Sequence, residues 1–147
     1  MSTGPAAAEA AGIDWPELER RAAAMRARAH APYSGYHVGA SLQTRDGRVF
    51  DGCNMENASY GLCLCAERTA IAHMVAAGAR DPIAIAIATR GPSAGAPCGM
   101  CRQVLAEFAL DLPIRLLAVD PAGPTVDTTL AELLPLAFRG KELDQAR

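Results

Sequence analysis

The chain has 147 residues, of which half are hydrophobic and 20% are charged, a composition that suits a folded domain able to bury its own core. Its formal net charge is -2, and Lys141 is the only lysine. A protein that tracks a nucleic-acid backbone needs a basic face to neutralise phosphates, and no basic run is present, so a nucleic-acid polymer is not the expected partner.

Residues 1–14, "MSTGPAAAEAAGID", are small and Ala-rich and have neither the basic start nor the sustained apolar stretch of a secretion signal. They are expected to be flexible, with residues 15–147 forming a single domain. Asp14 suits a helix cap and Pro16 a first helical turn. Trp15, Leu18, Ala22 and Met25 recur at helical spacing, which predicts a helix over 15–28, broken by Pro32 and Gly35 in "HAPYSGY". Val38, Ala40 and Leu42 then alternate as in a strand. "RDG" at 45–47 is a hairpin turn, and 48–53 returns as a second strand. "ENASYGL" reads as loop.

A largely apolar helix is predicted over 65–77, closed by Gly78. Residues 82–89, "PIAIAIAT", read as a fully buried strand and are too short to cross a bilayer, so no membrane association is expected. After the loop "RGPSAGAP" comes a helix, "CGMCRQVLAEFA", then the strand "PIRLLAVD", a turn, a short fifth strand "TVDTT" and a short helix over 129–134. A hairpin followed by alternating helices and strands implies an α/β fold: a mixed sheet with helices packed on its faces.

Five cysteines are present, an odd number. In the cytoplasm, the expected compartment, thiols stay reduced, so clustered cysteines point to a metal or to catalysis rather than to disulfides. Cys65, Cys98 and Cys101 all fall at helix starts, where free N–H groups and the helix dipole favour the thiolate. Two helices aimed at one point would bring three sulfurs to one Zn²⁺. Structural zinc takes four protein ligands, whereas catalytic zinc takes three and keeps a position for water. Glu67, two residues after Cys65, is placed to move protons rather than to bind metal. Three thiolates leave a net negative charge on the site. Arg68, and Gln103 from the second helix, are expected to offset it by donating hydrogen bonds to sulfur.

"CAE" at 65–67 and "PCGMC" at 97–101 match the three-cysteine form of the zinc deaminases. With "APYSGYHVGA", "GCNMENASYGL", "CAERTA", "CRQVLAEF" and "ELLPLAF" in the same order, the chain resembles the small cytidine deaminases of pyrimidine salvage over residues 15–140. That resemblance implies a three-layer α/β/α sandwich around a mixed five-stranded sheet, with one Zn²⁺ per chain. It implies hydrolysis of cytidine and deoxycytidine to uridine and deoxyuridine plus ammonia. Hydroxide held by zinc attacks C4, and Glu67 shuttles protons to N3 and to the leaving amino group. Asn54 and Glu56 match the pair that binds the ribose hydroxyls, and the Ala66 backbone matches the position that meets the pyrimidine. The resemblance also implies a homotetramer with shared sites, in which Ala58, Tyr60 and Phe138 match positions lent by neighbouring subunits. Tyr36 stands beside the base where the family usually has Phe.

Three rival readings remain. A deaminase of another aminopyrimidine nucleoside, such as blasticidin S, shares "CAE" and "PCGxC", although "NMENASY" favours plain cytidine. A structural zinc module predicts a fourth protein ligand and an idle Glu67. Editing of cytosine within RNA or DNA suits the acidic charge poorly. Cys53 and Cys63 read as packing residues, with Cys63 a reserve ligand because it alternates with Cys65. His30, His37 and His73 stand alone, outside the motif.

Overall fold

Apolar alternation before and after the "RDG" turn builds the first pair of strands. The computed structural model describes residues 12–145. In it Gly39–Thr44 (β1) pairs antiparallel with Val49–Cys53 (β2), placing Leu42 opposite Phe50. Gly47 takes the left-handed conformation in the turn, with φ 85°. Three further strands are Pro82–Arg90 (β3), Pro113–Val119 (β4) and Thr125–Thr129 (β5). Their order is β2-β1-β3-β4-β5, and only β3 and β4 run parallel. The sheet is therefore mixed and five-stranded, as expected.

The central strand β3 explains how the layers form. Ala84, Ala86 and Ala88 face one side and Ile85 and Ile87 the other. The alanine face admits Trp15–Met25 (α1), whose Leu18 and Ala22 pack against it together with Leu117. The isoleucine face carries Ala66–Ala76 (α2) and Gly99–Ala106 (α3), through Ala70, Met74 and Leu105. Helix, sheet and helix pair make the α/β/α sandwich. A strand buried on both faces needs no polar alternation, which is why its sequence reads as an unbroken apolar run.

Asp14 caps α1 by accepting the Glu17 N–H at 3.1 Å, and Pro16 lies in the first turn. The α-helix ends at Met25, and Arg26–Arg28 continue as one 3₁₀ turn. The expected flexible segment falls mostly on residues outside those described, but Gly12–Asp14 are held. Gln43 donates to Gly12 O and accepts the Asp14 N–H, both at 2.9 Å, and Ile13 is buried. Two short helices close the chain. Leu130–Leu133 (α4) starts in a reciprocal cap between Thr129 and Glu132. Gly140–Asp144 (α5), not anticipated in the sequence, has Glu142 accepting the Arg139 N–H at 2.6 Å. No helix among the described residues is long and apolar enough to cross a membrane.

Candidate active site

Both cysteine motifs sit where their helices begin. Cys65 caps α2 and Cys98 caps α3, each in extended backbone, and Cys101 lies buried in the first turn of α3. Cys98 Sγ is 3.8 Å from Cys65 Sγ and 3.6 Å from Cys101 Sγ. All three sulfurs lie within 4.8 Å of one another. Tetrahedral zinc with sulfur ligands at about 2.3 Å requires sulfurs about 3.8 Å apart. The donor set therefore fits one zinc ion. Among the described residues no fourth side chain joins this cluster. Three ligands are the set of a catalytic site rather than a structural one.

Charge in the cluster is unevenly shared. The Cys65 thiol is lowered to about 5, first by hydrogen bonding from Cys101, then by Arg68 and Cys98. Cys101 is pushed up, by its bond with Cys65 and by burial. Arg68 Nη2 donates to Cys63 O at 2.9 Å and reaches Cys65 Sγ at 3.9 Å. Glu67 is only 4% exposed, and burial raises its carboxyl above the ordinary value, with the Cys65 charge adding to the effect. A carboxyl raised in this way is a better proton carrier than a surface glutamate.

Gly52 in β2 lets α2 lie close enough to aim these groups. A Cβ there would overlap Ala66 O and Ala70 N, so only glycine fits. A cleft of about 410 Å³ opens over the site, lined by Tyr36, Asn54, Glu56, Tyr60, Cys65, Glu67, Arg68 and Cys98, with Val38, Ile87 and Thr89 among the remaining wall residues. Its size and its few convergent polar groups suit a small ligand. Asn54 is buried; its Oδ1 accepts Val38 N–H at 2.8 Å and its Nδ2 donates to Tyr36 O at 2.7 Å. Glu56 accepts the Tyr33 and Ser34 N–H groups and the Ser34 hydroxyl, which hold its carboxyl below the ordinary value.

Residues 16–113 match the sequence profile of the cytidine and deoxycytidylate deaminase zinc-binding region. The chain belongs to this deaminase family. It is 41% identical to the cytidine deaminase of Sporosarcina psychrophila, over 91% of this chain and 98% of that one. The crystal structure of cytidine deaminase from Burkholderia pseudomallei is 46% identical, with a TM-score of 0.80, covering 86% of this chain and all of that one. Blasticidin-S deaminase of Bacillus cereus is more distant, at 31% identity over 70% of this chain and 77% of that one.

The structure brings Tyr36, Asn54, Glu56, Cys65, Glu67, Arg68 and Cys98 to one cleft and places Gln103 away from it. Gln103 does not support the sulfurs: its Nε2 donates to Phe138 O at 2.7 Å. It follows Cys101 by two residues, which turns it about 200° around the helix, onto a different face. Phe138 and Ala58, expected to serve a neighbouring subunit's site, are exposed and lie off the cleft of their own chain. Tyr60, expected to be lent to a neighbour, lines its own cleft and meets Tyr33 edge to face at 5.8 Å. Ala66 is fully buried at the head of α2.

Sequence reasoning gave Cys63 a packing role, yet its side chain lies on the cleft wall and its Sγ accepts the Asn57 N–H at 3.4 Å. It also passed over Ser34, Thr89 and Gly95. Thr89 Oγ1 accepts the Gly95 N–H at 2.8 Å and holds the loop that leads to Cys98. The signal for Ser34 was its place in "APYSGYHVGA", between two aromatic residues and directly before a turn glycine.

Proposed function

We propose that this chain hydrolyses the exocyclic amino group of cytidine and deoxycytidine, releasing ammonia and leaving uridine and deoxyuridine. The observation that carries this reading is a cluster of three sulfurs, two of them on the wall of a cleft that also holds the buried Glu67, Asn54 and Glu56. Zinc held by Cys65, Cys98 and Cys101 supplies the Lewis acidity that makes water nucleophilic near neutral pH.

The chain's own residues do the rest. Glu67 takes a proton from the attacking water as the new C4–O bond forms and places it on N3. It then moves the remaining proton of that oxygen to the amino group, so that the C4–N bond breaks, the C4–O bond becomes a carbonyl and ammonia leaves. Its buried position keeps the proton from bulk solvent between the two transfers. Asn54 and Glu56 take the ribose hydroxyls, and Tyr36 flanks the base. Arg68 balances the thiolate charge from beneath Cys65.

A free nucleoside suits this cleft better than a nucleotide. Among the described residues Arg68 is the only cation on its wall; its Nη2 is engaged by Cys63 O and Cys65 Sγ, and its Nε is buried away from the open cleft without a partner. A phosphate would meet the carboxylate of Glu56 with no cation to offset it. The deoxycytidylate branch of the family is thereby disfavoured.

The assembly proposed is a homotetramer in the cytoplasm. Leu136 and Phe138, 94% and 58% exposed, present an apolar surface away from their own cleft, and a neighbouring subunit would cover it. Light scattering behind a sizing column tests that state. The function is tested by incubating the purified protein with cytidine, with and without a chelator, while following ultraviolet absorbance and bound zinc. Turnover of blasticidin S but not of cytidine would sink the cytidine reading. Tightly held zinc with no turnover of any nucleoside would favour a structural module.

A further inference from the structure

Glu56 lines the cleft, but its carboxylate is not free to choose its own direction. Oε1 accepts the N–H groups of Tyr33 and Ser34, each at 3.0 Å, and Oε2 accepts the Ser34 hydroxyl. Ser34 Oγ in turn accepts the Tyr36 N–H at 3.0 Å. The carbonyl of Tyr36 accepts Asn54 Nδ2 at 2.7 Å. Hydrogen bonds therefore link Glu56 through Ser34 and the two peptide groups flanking Tyr36 to Asn54. The two side chains assigned to the sugar sit at the ends of this series, and the residue beside the base sits within it.

An exposed glutamate samples many rotamers, and freezing one on binding costs affinity. The chain has met that cost in advance. Oε1 has both of its lone pairs taken by backbone N–H groups, while Oε2, held by the Ser34 hydroxyl, keeps one for a sugar hydroxyl. Ser34 is the only one of these donors supplied by a side chain, so it can be removed without altering the backbone. We propose that Ser34 is a positioning residue for substrate recognition, holding Glu56 in the orientation in which its Oε2 receives a ribose hydroxyl. The proposal rests on the deaminase reading above and on Glu56 as a sugar ligand.

The test compares wild type with Ser34→Ala and Ser34→Thr. For each, kcat and KM are measured with cytidine, and Ki is measured for 2′,3′-dideoxycytidine, which lacks the hydroxyl that Glu56 would hold. Loss of one charge-assisted hydrogen bond is expected to raise KM for cytidine about ten-fold. The sugar lies remote from C4, so kcat should stay within about two-fold. The Ki of the dideoxy compound should not move, and Ser34→Thr, which keeps the hydroxyl, should restore KM.

Equal weakening of both compounds would show that Ser34 merely maintains the loop, and would overturn the proposal. So would an unchanged KM for cytidine. A wild type that turns over no cytidine would overturn the deaminase reading, and this inference with it. An active wild type matched by Ser34→Ala would remove only the role of Ser34.

Discussion

Cys65 and Cys98 lie thirty-three residues apart in the chain, yet their sulfurs stand 3.8 Å apart. Separate helices present them, so the pair exists only in the folded chain. Replacing Cys98 with Ser should lower zinc content well below one per chain, and activity by more than about 100-fold. Replacing Cys53, whose sulfur reaches only Arg28 O at 3.6 Å, should change neither. Metal analysis alongside the cytidine assay checks both outcomes.

Gly52 supports the same site from behind. A methyl group there would collide with the backbone of Ala66 and Ala70, which cannot rotate away as a side chain could. Gly52→Ala should therefore destabilise the protein by about 1–3 kcal/mol, the usual cost of overpacking. It should also shift the start of α2, which carries Glu67. Urea denaturation measures the first effect and kcat the second. A mutant with wild-type stability would contradict the close contact.

The Glu56 carboxyl should titrate below the ordinary glutamate value of 4.5, chiefly because the Ser34 hydroxyl and then the Ser34 N–H donate to it. A carboxyl lowered in the folded state favours folding above its unfolded value. That contribution is lost as pH falls through the lower folded value. Carbon-detected NMR of the side-chain carboxyl gives the midpoint directly. Ser34→Ala should move it upward; an unmoved midpoint would mean that the hydroxyl does not face the carboxylate in solution.

Tyr36 and Gly95 form a matched pair. A methyl on Gly95 would come within 2.9 Å of the Tyr36 hydroxyl and 3.0 Å of Thr89 Cγ2. Gly95→Ala should push the ring into the cleft and raise KM for cytidine several-fold. Tyr36→Phe removes the oxygen and should relieve much of that rise when the two are combined. Steady-state kinetics of the three variants form a double-mutant cycle, and strict additivity would contradict the contact.

The metal site was legible in the sequence because its chemistry is local. Cys65-x-Glu67 and Cys98-x-x-Cys101 each place their groups within one helical turn, and the loops before them mark the helix starts. The layers were legible because 82–88 is apolar throughout and the neighbouring segments are amphipathic. Features that depend on how elements approach one another were not legible. Gly52 looks like any strand glycine until α2 is laid over it. Gln103 looked available to the sulfurs until the helical turn between it and Cys101 was counted. Ser34 gains its role only when Glu56, twenty-two residues on, folds back against it. The Gly140–Asp144 turn, with no buried residue of its own, left no periodic pattern to read.

The central claim is that three sulfurs hold zinc while Glu67, which is not a ligand, moves the protons. Glu67→Gln keeps the size of the side chain and removes its basicity. The variant should bind one zinc per chain and lose about 100- to 10,000-fold in cytidine turnover. A fully active Glu67→Gln protein, or one that loses its zinc with the substitution, would contradict the account.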